Sequence, residues 1–295
     1  MEKYSITIPK DDSSERWIEA LEEFISMTEP EWLQGMKGAS AKTIAAIKEC
    51  YDLNGDGKSL PVDYKMFLRR WGGDSYISFP DKPISITYYS ANMLLADDCL
   101  LCDSSDNLYL TIGSQDIDDS EQLAFSFLSS GDSSLILIRP FHNDIKMADS
   151  FRQYLCCQAF LAFGRKQFPC QLAYELEFHM HVPPYNLSPE AKDWKDSNLS
   201  DEDLEELGFK IQVEKIQSVL LKHGYQEAWF STPLDQVWLR RDSFCSISRD
   251  FDPNDMFDTV LGQLCVYDLD NIQNVIKDFS LIGYKCVDYK KWRSY

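Results

Sequence analysis

Asp52, Asn54, Asp56 and Asp63 stand at positions 1, 3, 5 and 12 of a twelve-residue calcium-loop spacing, with Gly57 at position 6. Oxygen ligands at that spacing suit a hard divalent cation, and the glycine suits the sharp turn such a loop makes. Three features point the other way. Ser59 occupies the place where an apolar residue locks the loop, Pro61 falls inside it, and no second copy follows. The stretch therefore reads as a polar turn ahead of a helix, and we expect no bound metal or other cofactor. Cys99 and Cys102 have C-x-x-C spacing, but a zinc site needs four ligands, and Cys156-Cys157 cannot supply the second pair. His179 and His181 would share one face of a strand, with only His142 and His223 elsewhere in the chain. The acids Asp97, Asp98, Asp116, Asp118, Asp119 and Glu121 lie in polar turns between apolar runs, without the His, Lys or Tyr that usually backs a general acid–base pair. There is no G-x-S-x-G elbow, P-loop or dinucleotide fingerprint. The sequence gives catalysis no positive support, and we expect a protein that is not an enzyme.

Charge narrows the partners. Asp and Glu number 48 against 29 Lys and Arg, a formal net charge of −19. Phosphate contacts need Lys and Arg, so nucleic acid and anionic membrane surfaces are disfavoured. Between Lys82 and Arg139 there is no basic residue at all, while nine acids occur. An interval so one-signed creates a field that speeds and orients a basic protein partner. No apolar run approaches the ~20 residues of a membrane span. The start lacks a secretory h-region, and the nine cysteines show no disulfide framework. A cytoplasmic protein with reduced thiols is the expectation.

The elements that must carry these groups are legible in part. Asp12 with Glu15 makes a capping-box-like start for a helix with an apolar stripe of Trp17, Ala20, Leu21, Phe24 and Ile25. A second helix starts near Ser40 and is expected to bury Ile44, Ile47 and Tyr51. The third, at about 61–71, has Pro61 in its first turn, Asp63 near its N-terminus and Arg69 and Arg70 near its C-terminus. Tyr64, Phe67, Leu68 and Trp71 recur at i, i+3, i+4 and i+7, and Gly72-Gly73 supply a left-handed stop. Residues 84–89, 108–112, 123–127 and 135–138 are short, strand-forming and separated by turn residues, an antiparallel meander. Asp149-Ser150 then caps a helix bearing Phe151, Tyr154 and Leu155.

Leu60-Pro61-Val62-Asp63-Tyr64-Lys65-Met66-Phe67-Leu68 followed by Trp71-Gly72-Gly73 resembles the signature helix of the SUKH (Smi/Knr-like) superfamily. Ser150-Phe151-Arg152-Gln153-Tyr154-Leu155 resembles the closing helix of the same domains. The resemblance covers roughly residues 15–163. It implies an α+β domain with an antiparallel sheet flanked by helices, and it implies a bacterial immunity protein that binds and neutralises a polymorphic toxin. The Asp52–Asp63 loop with the helix after it also resembles one repeat of a dockerin module, which would imply calcium-dependent interaction or regulation.

Residues 1–163 therefore read as the SUKH-like domain. Residues 164–210 read as an irregular connector broken by Pro169, Pro183, Pro184 and Pro189, with a short helix after Ser200. Residues 211–295 read as a second, small α+β domain of unknown role. In it a helix bears Val213, Ile216, Val219 and Leu220, strands are expected at about 228–230, 237–240, 244–248 and 260–267, and the order helix, Gly-Tyr, strand occurs twice, each helix containing Ile-Gln-x-Val. The function expected is a non-enzymatic binding protein whose acidic sheet side (Asp97, Asp98, Asp116, Asp118, Asp119, Glu121) holds a basic toxin domain, such as a nuclease, and inhibits by occlusion.

Overall fold

The computed structural model describes residues 8–10, 15–51, 60–73, 77–79, 86–96, 100–102, 108–115, 121–127, 133–138, 144–176, 201–250 and 259–288. The fold is mixed α+β and divides into two compact units. Unit 1 is Met1–Gln167 together with Trp229–Pro233; unit 2 is Phe168–Ala228 together with Leu234–Tyr295.

Unit 1 opens with α1 (Arg16–Ser26), whose apolar stripe buries Trp17, Ile18, Leu21, Phe24 and Ile25. Glu15 is its N-cap, without a side-chain cap, and Asp12 lies outside the described residues. Next come α2 (Pro30–Gln34) and α3 (Ala41–Tyr51). The Ser40 hydroxyl caps the start of α3 by accepting from the Thr43 amide at 3.0 Å. Helix α4 (Val62–Arg70) covers the stretch whose sequence resembles a signature helix, and Pro61 is its N-cap.

Among the described residues the sheet of unit 1 has seven strands: β1 (Ile77–Ser78), β2 (Ile86–Tyr88), β3 (Leu100–Cys102), β4 (Leu108–Gln115), β5 (Gln122–Phe127), β6 (Ser133–Ile138) and β7 (Ile145–Ala148). They run antiparallel in the order β1-β2-β4-β5-β6-β7. The off-path strand β3 pairs with β4 at Leu108–Leu110, and β2 pairs with β4 at Gly113–Gln115. Between β2 and β3 stands α5 (Ala91–Ala96). The closing helix α6 (Phe151–Phe163) has Ser150 as N-cap, accepting from the Gln153 amide.

Among the described residues, unit 2 is a six-stranded antiparallel sheet with two α-helices. Its strands are β8 (Cys170–Leu176), β9 (Gln226–Glu227), β10 (Asp235–Arg240), β11 (Ser243–Asp250), β12 (Thr259–Val266) and β13 (Tyr284–Asp288), in the order β13-β8-β12-β11-β10-β9. The helices are α7 (Asp201–Lys222) and α8 (Gln273–Leu281). Each connects a central strand to an edge: β8 to β9 through α7, and β12 to β13 through α8. Ile216, Val219 and Leu220 of α7 share one core with Ile272, Val275 and Phe279 and with Tyr174, Trp238, Ile247 and Leu264 of the sheet.

Three sequence expectations need correcting. The segment 164–210 is not a plain connector, because β8 and the start of α7 lie in it. The expected short helix after Ser200 and the helix bearing Val213 are one 22-residue helix. Residues 228–230 are not a strand: the strand is Gln226–Glu227, and the chain then departs into unit 1.

Candidate functional site

The signature helix buries Tyr64, Met66, Phe67 and Leu68, and Trp71 is buried just beyond it. The Phe67 ring lies 5.6 Å from Tyr88 of β2 and 5.0 Å from Phe151 of α6. Tyr64 lies 5.2 Å from Phe125 of β5. The i, i+3, i+4 spacing thus seats α4 on the sheet and on the closing helix, as the periodicity predicts. Trp71 turns elsewhere, meeting Trp32 edge-on at 5.6 Å.

Gly72 and Gly73 do not provide a left-handed stop. Among the described residues the positive-φ glycines are Gly224 and Gly283. The pair is needed for close approach instead. A Cβ at Gly72 would sit 2.6 Å from a Leu68 methyl, and one at Gly73 would sit 2.6 Å from the Lys37 carbonyl oxygen. That carbonyl accepts from the Gly73 amide at 2.7 Å, so the chain after α4 lies directly against the segment before α3.

Asp63 and Arg152 join the two stretches that carry the SUKH resemblance. Arg152 Nη2 and Nε donate to Asp63 Oδ1 at 2.7 and 3.2 Å, and Nη1 donates to the Lys10 carbonyl at 2.9 Å. The guanidinium also sits 5.3 Å from the Trp17 ring centre. With side-chain exposures of 10% and 19%, the pair is largely withdrawn from water. Sequence reasoning missed Arg152. The signal was an arginine among apolar residues on the buried stripe of an otherwise apolar helix. This geometry also bears on the calcium spacing, because the carboxylate at its twelfth position is engaged by a guanidinium. Asp52, Asn54 and Asp56 lie outside the described residues. No group of three metal-ligating side chains occurs among the described residues.

Of the six acids expected at the interface, Glu121 is described, at the entry to β5; Asp97, Asp98, Asp116, Asp118 and Asp119 lie outside the described residues. The described strand residues on either side of them in sequence are paired. Leu100, which follows Asp97-Asp98-Cys99, pairs with Leu110, whereas Gln115, which precedes Asp116, pairs with Ile86. These points are five residues apart on β4, roughly 17 Å along the strand.

A second acidic feature was not anticipated. A groove of about 500 Å³ is lined by Glu19, Glu22 and Glu23 of α1, Leu33 of α2, and Arg70 and Trp71 at the end of α4. Arg70 Nη2 lies 3.0 Å from Glu19 Oε1 and 3.4 Å from Glu22 Oε2, and Trp71 Nε1 donates to Glu22 Oε1 at 2.9 Å. Three carboxylates and one guanidinium leave the groove net negative. Its signal in the sequence is the i, i+3, i+4 spacing of the three glutamates on the polar face of α1.

Among the described residues, the remaining thiols and His223 are packed or paired within the fold. Cys156, Cys157, Cys245 and Cys265 are buried and in the reduced, thiol form. Burial pushes the Cys286 thiol up to about 12 and those of Cys156 and Cys245 higher still, the opposite of what a nucleophile needs. His223 Nε2 and Lys222 Nζ lie 2.7 and 2.6 Å from Asp278 Oδ2, tying the end of α7 to α8. Hydrogen bonds from Lys222 and then His223 hold the Asp278 carboxyl below its usual value. His179 and His181 lie outside the described residues. Among the described residues, no helix is long and apolar enough to cross a membrane. No family model, no curated protein and no solved structure matches the chain.

Proposed function

We propose that this chain is a non-enzymatic binding protein of the immunity type, which neutralises a basic toxin domain, such as a nuclease, by occluding it. The observation that carries the reading is the Asp63–Arg152 pair. It draws Leu60–Gly73 and Ser150–Leu155, the two stretches that resemble SUKH domains, into one packed core. Charge supplies the sign of the partner: the chain carries −19, and the interval from Pro83 to Ile138 holds nine acids and no basic residue. Exposed carboxylates steer and orient a basic surface more than they add affinity, while buried aromatic anchors of the contact carry the energy. No cofactor, nucleic acid or membrane enters this reading. The dockerin-like alternative draws no support from the described residues, since Asp63 is committed to Arg152.

The test is binding to, and protection against, the product of the gene next to this one. Complex formation should slow as salt rises, because screening shortens the reach of exposed charge to ~8 Å at physiological ionic strength. Reversing Asp118 and Asp119 to Lys should lower the association rate more than it raises the dissociation rate. Binding indifferent to salt and to the reversals would overturn the acidic interface. Failure to bind or protect against any neighbouring toxin would overturn the immunity reading.

A further inference from the structure

The C-terminal half has no role in the reading above, yet it supplies five residues to the unit that carries the reading. The chain leaves unit 2 after Ala228, contributes Trp229–Pro233 to unit 1 and returns at Leu234. Both ends of this strap are pinned in unit 2. The Ala228 amide donates to the Val237 carbonyl at 2.8 Å, and the Leu234 carbonyl accepts from Arg249 at 3.0 Å.

Between those pins the strap is built into unit 1. Trp229 Nε1 donates to the Ile8 carbonyl at 2.9 Å, near the start of the described chain. The Phe230 ring is 5% exposed and lies 5.4 Å from Phe160 of α6, which stacks at 4.9 Å on Phe24 of α1. The Ser231 carbonyl accepts from Gln153 Nε2. The other end of that side chain, Oε1, accepts from the Asp149 amide at 2.9 Å, at the capped start of α6. Ser231 and Thr232 are buried as well. One five-residue segment thus satisfies a backbone acceptor near the N-terminus, fills an aromatic row joining α1 to α6, and fixes the first turn of the closing helix.

We propose that the second unit completes the first: the strap is an obligatory part of unit 1, and residues 1–167 do not hold α1 and α6 in place without it. This assigns the C-terminal half a conformational role that stands whether or not the immunity reading does. A buried aromatic ring removed from such a row leaves a cavity that its neighbours fill only in part, and local opening is then read by amide exchange.

The experiment is hydrogen exchange with mass spectrometry on the full chain carrying Phe230→Ala, beside Phe230→Leu and the unaltered protein. Peptides from α1 and α6 should exchange roughly a hundred-fold faster in Phe230→Ala, at least as large a rise as any in β11 and β12. Phe230→Leu, which keeps an apolar side chain of similar reach, should recover most of the protection. Unchanged exchange in α1 and α6, or a rise larger in β10–β12 than in α1 and α6, would overturn the proposal. Toxin binding plays no part in the readout, so this result is separate from the fate of the immunity reading.

Discussion

Placing a methyl group at Gly262 should damage unit 2 more than any other single added carbon. Gly262 lies on β12, opposite Tyr174 of β8 on one side and Ile247 of β11 on the other. The missing side chain lets the Tyr174 ring lie across β12, where its hydroxyl donates to the Ser246 carbonyl on β11. The ring is buried, stacks on Phe279 at 4.9 Å and meets Tyr284 edge-on at 5.8 Å. A Cβ at 262 would overlap the Tyr174 ring tip and the Ser246 carbonyl oxygen, both far inside van der Waals contact. A strand carbonyl cannot withdraw, so the ring must move. Displacing it costs about 1–3 kcal/mol in overpacking. The unmade buried hydrogen bond costs about 1–3 kcal/mol more. Against this, alanine restricts the unfolded chain by about 0.4–1 kcal/mol relative to glycine. Gly262→Ala should therefore lose about 2–5 kcal/mol, measured by urea unfolding followed by circular dichroism. Tyr174→Ala removes one of the two overlaps in advance, so the double variant should cost less than the sum of the singles. A Gly262→Ala protein within about 0.5 kcal/mol of the parent, or costs that simply add, would refute the account.

Other outcomes follow from the same structure. Phe67→Ala should cost about 3–5 kcal/mol, since its fully buried ring meets rings from β2 and α6, and a loss below about 1 kcal/mol in urea would contradict that packing. Arg152→Met should lose about 2–4 kcal/mol, because it strands a poorly exposed carboxylate, while Asp63→Asn keeps an acceptor and should lose less. A double-variant cycle should then show coupling above about 1 kcal/mol, and an additive result would mean the pair does not join the two helices energetically. The Asp278 carboxyl is held below its ordinary 3.8 by Lys222 and His223, so its contribution is in force above about pH 4 and is lost as pH falls through the folded value. Asp278→Asn should accordingly flatten the acid limb of stability, and parallel curves for the two proteins from pH 2 to 7 would contradict this.

Helices were legible wherever an apolar stripe ran at helical spacing from a marked start, as in α4 and α6. The first turns of α7 were not, because Asp201–Glu206 is mostly acidic and the apolar stripe becomes clear only farther along. Strand β8 was hidden for a different reason. Cys170-Gln171-Leu172-Ala173-Tyr174 is flanked by prolines, and what makes it a strand is pairing with residues nearly a hundred positions later. Gly72-Gly73 shows a third kind of limit. The sequence calls for glycine there equally for a left-handed turn or for close approach, and only the position of Lys37 decides between them. The site was legible to the extent that it rests on the signature helix. The Arg152 pairing and the α1–α4 groove were not, since both arise from residues 49–89 positions apart meeting in space.

The pairing of β8 sets a timetable for synthesis. Tyr174 is hydrogen-bonded into the sheet between strands containing Gly262 and Cys286, so β8 has no partner on either side until β12 has been made. Contacts of such long sequence separation are slow to form, and an unpaired apolar strand is exposed to wrong partners while it waits. The sheet cannot close on that side until the ribosome has delivered Tyr284–Asp288. A nascent chain stalled before residue 259 would present β8, with neither neighbour yet made, to whatever chaperone or neighbouring chain reaches it first.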